Sequence, residues 1–233
     1  MRVLLFVFIF VLISAGSGFS QTVPTRDAFQ KAALLAKEGR YAEALEKYLS
    51  VPVSSIAEES KDTAARVHFN IGVCFYHLDQ PEKAVARYRK ALELTGGTYQ
   101  KAFYTLGMAQ AALGNTAEAK AAFYQAVKLD KNDGEAWFDL AMVLLAQKDE
   151  KDYDAATRAF ENAVKNGSIN SADAINNLGV IAALQGDLAA AEKKFREALA
   201  MAASPEAANN LKICALLTQG SNRELVAGLI FSR

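Results

Sequence analysis

Apolar residues recur along this chain at helical spacing in short segments separated by brief polar turns, and the order of the segments itself repeats. The stretch "NLGVIAALQGDLAAAEKKFREAL", Asn177 to Leu199, predicts two helices around a turn at Gly186. A second glycine, Gly179, falls inside the first helix, where it costs roughly 1 kcal/mol relative to alanine. Similar stretches cover Asn70–Leu92, Thr105–Val127 and Asp139–Val164, the last with three extra residues. Lys31–Val51 is a weaker copy, and Asn210–Gly220 repeats only the first half. A small residue of the first helix falls at Ala32, Gly72, Gly107, Ala141 and Gly179, at intervals of 40, 35, 34 and 38 residues.

The second helix of each unit carries an alanine and, four residues later, an aromatic ring: Ala44 and Tyr48, Ala84 and Tyr88, Ala119 and Phe123, Ala156 and Phe160, Ala191 and Phe195. A further small residue follows at Ala91, Ala126, Ala163 and Ala198. Paired helices approach to about 8–10 Å, and the lower end of that range requires small side chains at the crossing. Gly179 is therefore expected where its partner helix comes closest, with the aromatic filling the adjacent hole. Gly39, Gly114 and Gly186 are expected at the turns; Asp79 and Pro81 depart from that pattern in the second unit.

With Trp137, Leu140 and Ala141, and with Leu178, Gly179, Gly186, Ala191, Phe195 and Ala198, the pattern resembles the tetratricopeptide repeat family. The resemblance implies an all-α superhelix, an α-solenoid of antiparallel helix pairs. It gives five repeats at approximately 25–58, 65–98, 100–133, 134–170 and 172–204, a half-repeat at 205–220 and a C-terminal capping tail at 221–233. The apolar Leu225, Val226, Leu229, Ile230 and Phe231 suit the tail either to cover the terminal unit or to dock on a partner. Cys74 and Cys214 occupy the same slot four units apart, which at about 10 Å between successive equivalent helices places them beyond the ~7 Å reach of a disulfide. Both are expected as core thiols.

Residues 1–20 stand outside the repeats. Arg2, the apolar run Val3–Ile13 and the small residues Ser14–Gly18 match a secretory signal peptide, with Gln21 the expected first residue after cleavage. The run is shorter than the roughly 20 residues of a membrane span. Once the leader is cleaved, no stable membrane anchor is expected. The chain is expected to be exported, to the periplasm of a Gram-negative bacterium or otherwise secreted.

Lysine plus arginine and aspartate plus glutamate balance at 26 each, so charge gives no reason to expect nucleic acid as partner. No catalytic constellation assembles. His68 and His77 lack nearby ligands at zinc spacing, and neither a phosphate-cradling glycine loop nor a nucleophile elbow is present. Asn166-Gly167-Ser168 is a sequon that also reads as a turn. No enzymatic activity, cofactor or metal is expected.

The family resemblance points instead to peptide recognition by the first helices, which line the concave side. Aligned by repeat, that face offers Phe29, Phe69, Tyr104 and Phe138, then Asn176 and Asn209, three residues before the small position. Asn70, Asn177 and Asn210 stand two before it, and Met108 and Met142 one after. Aromatics and methionines suit an apolar or amphipathic ligand, and asparagine pairs with both the donor and the acceptor of an extended backbone. The rings either face that groove or pack between units. The expected role is an adaptor or assembly scaffold for a protein or peptide partner. The alternative is a carrier of a small apolar ligand or lipid, possibly transporter-associated.

Overall fold

The computed structural model describes residues 23–146, 150–220 and 223–232. The leader expected at 1–20 lies outside them, as does Asp149 of the inserted "DEK". The elements of the described residues are all helices, without strands, and their packing divides into two compact units, one ending at Gly97 and the other beginning at Thr98.

The first unit holds α1 (Val23–Lys37), α2 (Tyr41–Leu49), α3 (Val53–Glu59), α4 (Lys61–His77) and α5 (Pro81–Leu94). Here α1 pairs with α2 and α4 with α5, and α2 also packs on α4. The short α3, packed on α4, is an extra element between the pairs. It accounts for the 40-residue first interval. Proline at the start of α5 has the fixed φ a helix needs at that position.

The second unit holds α6 (Gln100–Ala112), α7 (Thr116–Leu129), α8 (Gly134–Ala146), α9 (Glu150–Lys165), α10 (Ser171–Leu184), α11 (Leu188–Met201) and α12 (Pro205–Thr218), then a short 3-10 helix, Arg223–Gly228. Each helix packs on the next, and first helices also meet, α6 with α8 and α10 with α12. Asp187 caps α11 by accepting from the Ala190 N–H, and Ser204 caps α12 through Ala207.

The second-helix rings form the core. Tyr48, Tyr88, Phe123, Phe160 and Phe195 are among the largest fully buried side chains, and the alanines four residues before them are wholly buried. A Cβ on Gly72, Gly107 or Gly179 would lie 2.6–2.7 Å from the ring of Tyr88, Phe123 or Phe195 respectively. The glycines inside the first helices are thus the floor on which the rings lie. Gly186 serves differently. Its φ is +89° with open space where a side chain would be, and the bonds Gly186 N–H to Ala183 O and Asp187 N–H to Ala182 O close the helix end. Asp79 adopts the same left-handed conformation, φ +57°, at the equivalent turn.

Both cysteines are buried free thiols, and burial pushes their pKa up, Cys74 to about 12. Their slot is buried in the other units too, except at Leu34, which is 58% exposed. No described helix precedes α1 to cover it. Among the described residues, no helix is long and apolar enough to cross a membrane.

Candidate functional site

Along the first helices, the residues three before the small position divide sharply. Phe29, Phe69 and Phe138 are buried, and each packs on the ring of its own partner helix. Phe29 meets Tyr48 edge-on at 5.6 Å, Phe69 tilts on Tyr88 at 5.9 Å, and Phe138 meets Phe160 edge-on at 5.7 Å. The phenyl groups thus belong to the seams between paired helices. Tyr104 also leans on its partner ring, Phe123, at 5.9 Å, but remains partly exposed. Its phenol donates to Asp139 Oδ2 at 2.9 Å.

The position two before the small residue is polar in every unit, and each polar group has a different partner. Asn70, in the first unit, is buried, and its side chain lowers the pKa of the Tyr48 phenol against the upward push of burial. Thr105 donates back to Lys101 O at 2.9 Å, within its own helix. Asp139 accepts from Tyr104, and burial, then the nearby Glu135 and Asp133 charges, push its carboxyl up to about 7 against the lowering effect of that bond. Asn177 and Asn210 turn instead to a segment from elsewhere in the chain.

That segment is the tail. After the 3-10 helix, residues 229–232 return along α12 and α10. The Asn210 amide accepts from Ile230 N–H at 2.8 Å and donates to Ile230 O at 2.7 Å. One helix over, Asn177 accepts from Ser232 N–H at 2.7 Å and donates to Ser232 O at 2.9 Å. Alternate residues thus present both backbone groups to one side, the pattern of a strand edge, although no second strand is there. Asn176 bridges the two stations. It donates to the Ser232 hydroxyl at 2.9 Å and to Ile230 O at 3.2 Å, and it accepts from Asn210 Nδ2 at 2.9 Å. Asn209 donates to Gly228 O at 3.3 Å.

Apolar contacts accompany the polar ones. Leu229 packs on the cluster of Val180, Ala183, Phe195 and Cys214. Phe231 touches that cluster and also the one built on Phe138, Ala141 and Phe160. Beyond Ser232 the same face continues through Met142, whose sulfur accepts a 3.5 Å contact from Asn177, and through partly exposed Met108.

Asn176, Asn177 and Asn210 are completely buried. A buried amide without partners costs about 1–3 kcal/mol; here the tail backbone supplies those partners. The site therefore joins Asn176, Asn177, Asn209 and Asn210 around one chain segment, with Met142 at its edge. Phe29, Phe69 and Asn70 are elsewhere, in the first unit. Sequence reasoning did not assign Ile230, Phe231 and Ser232 as the bound segment. Nor did it identify Asp173, whose carboxyl is pushed up, chiefly by burial, against the lowering influence of the Ser232 side chain. Among the described residues, no group of three potential metal ligands gathers.

Tetratricopeptide-repeat family models match residues 65–97, 104–152 and 149–208, more than half of the sequence. The chain belongs to the tetratricopeptide repeat family. Solved structures with the same fold include MamA, 20% identical at TM-score 0.64 over 76% of this chain and 90% of that one. YrrB, described as a tetratricopeptide-repeat protein with an unusual peptide-binding site, is 24% identical at TM-score 0.61 over 83% and 91%. The Pseudomonas aeruginosa protein pilF is 18% identical at TM-score 0.64 over 88% of each. A comparison with curated protein sequences finds no match. At these identities the structural likeness concerns the fold, which places the asparagines on successive first helices of a repeat array.

Proposed function

We propose that this tetratricopeptide-repeat chain is a non-enzymatic interaction module that binds a segment of another protein along the first helices of its second unit. One observation carries the reading: Asn177 and Asn210, on neighbouring first helices, each pair with both the N–H and the C=O of one residue in a non-helical segment. Such pairing reads polypeptide backbone, which a lipid does not have. YrrB, whose peptide-binding site is described as unusual, shares the fold and adds support at that level. The leader pattern of Arg2 and Val3–Ile13 supports export of the module. N-terminal sequencing of protein from its natural host should begin at Gln21; a start at Met1 would contradict cleavage of the leader.

A photo-crosslinking residue in place of Met108 or Met142 tests the binding reading in intact cells. A discrete polypeptide adduct is expected from both positions, and none from the exposed control Lys128. Lipid adducts would replace the adaptor by the carrier. Identical products at Lys128 would remove the groove from consideration.

A further inference from the structure

Residues 229–232 occupy the face on which, by the reading above, a partner segment would lie. Their contacts show what that face requires of an occupant. At Ile230 both backbone groups are engaged while the side chain is 45% exposed, so this position is read as backbone alone. Leu229 and Phe231 are partly buried and rest on the apolar clusters of α8 to α12. Ser232 is 3% exposed, and its hydroxyl accepts from the Asn176 amide at 2.9 Å while its side chain holds back the upward shift of the Asp173 carboxyl. A hydroxyl both donates and accepts, and so suits both groups. A methyl there would remove the nearest acceptor of the buried Asn176 amide.

We propose that the tail is an internal ligand: the second unit selects a segment of the pattern apolar, any residue, aromatic, serine, and a partner carrying that pattern binds by displacing 229–232. The inference rests on the groove reading and goes further by naming the class of segment and the occupant that must leave. Displacement is feasible because the hydrogen bonds that hold the tail backbone come from side chains of α10 and α12. A longer partner segment has Met142, Tyr104 and Met108 still to cover on α8 and α6. Tethering gives the tail an effective concentration near the millimolar range; a free segment competes only through those added contacts or at high concentration.

The test uses a fluorescent synthetic peptide of residues 226–233, VAGLIFSR, titrated into the full chain and into a chain ending at Gly228. The shortened chain is expected to bind at least about tenfold more tightly than the full chain. Alanine in place of the peptide's phenylalanine or serine should weaken binding about tenfold or more, whereas alanine at the Ile230 position should change it less than about twofold. Equal binding by both chains would overturn the internal ligand while leaving the groove reading intact. A shortened chain that keeps its helical circular dichroism yet binds nothing would overturn both. Insensitivity to the phenylalanine and serine replacements would overturn the proposed pattern.

Should the shortened chain unfold, the full chain with Ser232→Pro supplies the same measurement. Proline removes the N–H that Asn177 accepts while Leu229 and Phe231 remain. Peptide binding should then appear in the otherwise intact chain. A folded Ser232→Pro chain that still excludes the peptide would overturn the proposal.

Discussion

Gly179 and Gly186 lie in one stretch of sequence and are glycines for opposite reasons, so replacing them separates two physical effects. At Gly179 alanine adds roughly 1 kcal/mol of helix propensity but puts a methyl 2.6 Å from the fully buried ring of Phe195. Overpacking costs about 1–3 kcal/mol, so Gly179→Ala should lower stability by up to about 2 kcal/mol despite the better helix former. In a Phe195→Leu background the penalty should shrink, and urea unfolding of the four-protein cycle measures that coupling. Gly186→Ala meets no atom and costs about 1–2 kcal/mol through its left-handed backbone; its coupling to residue 195 should be nil. Asp139 provides a pH-dependent counterpart. Between the ordinary 3.8 and about 7, the folded chain holds a proton that the unfolded chain has released. The stability tied to this group is therefore complete at low pH, falls as pH climbs through that window, and is lost above it. Asp139→Asn keeps an acceptor for the Tyr104 phenol and has no charge to bury. Its melting temperature should exceed wild type at pH 8, with the difference largely gone at pH 4; a constant difference would show that the carboxyl does not titrate in that range.

Between helices, short polar links set how one pair meets the next. The Glu135 carboxylate on α8 accepts from the Ile169 N–H at 2.7 Å and the Asn170 side-chain amide at 2.9 Å, tying the turn before α10 to the preceding pair. Asn166 adds donations to Lys131 O and Asn162 O, so the amide of the sequon is already engaged, by the turn before α8 and by the end of α9. Hydrogen bonds to a charged group contribute about 1.5–3 kcal/mol. Both partners here are on the surface, so Glu135→Ala should cost about 1–2 kcal/mol, near the low end. Hydrogen exchange at the Ile169 amide should accelerate more than exchange within α8 or α10; uniform acceleration would mean the bracket acts only through global stability. These links were not legible in the sequence, because Glu135 and Ile169 are 34 positions apart and neither breaks the repeat pattern. The pairs themselves were legible, since a small residue, a turn glycine and a buried ring must recur together for two helices to close. α3 was not, because its few residues carry no period of their own.

At the scale of the whole molecule, the sequence register grouped the asparagines of the face on which the tail lies but did not assign the tail to it. Position-by-position alignment brought Asn176 and Asn209 forward because amides replace rings there, with Asn177 and Asn210 beside them at the position that is polar throughout. The same alignment grouped Phe29, Phe69 and Phe138 with them, although those rings close the seams of their own pairs. Register specifies which helix face a residue occupies; whether a ring turns outward depends on the depth of the neighbouring seam, a tertiary property. The tail was equally hard to place, since four residues without a helical period find their partners only through side chains about 20 to 55 positions away. The division at Gly97 and Thr98 gives the last prediction. Repeat arrays draw their stability from each unit and its immediate neighbours, and residues 98–233 contain three apolar clusters together with the asparagine site and the segment that fills it. A fragment of residues 98–233 should therefore show helical circular dichroism and one cooperative melt, and the Ser232 amide should remain protected from exchange. Replacing Asn177 and Asn210 by leucine in that fragment should abolish the protection while preserving the helical signal, because leucine keeps the volume and removes the paired bonds to Ser232 and Ile230. Loss of the helical signal instead would mean that the amides hold the fold together and the recognition face is inseparable from the core.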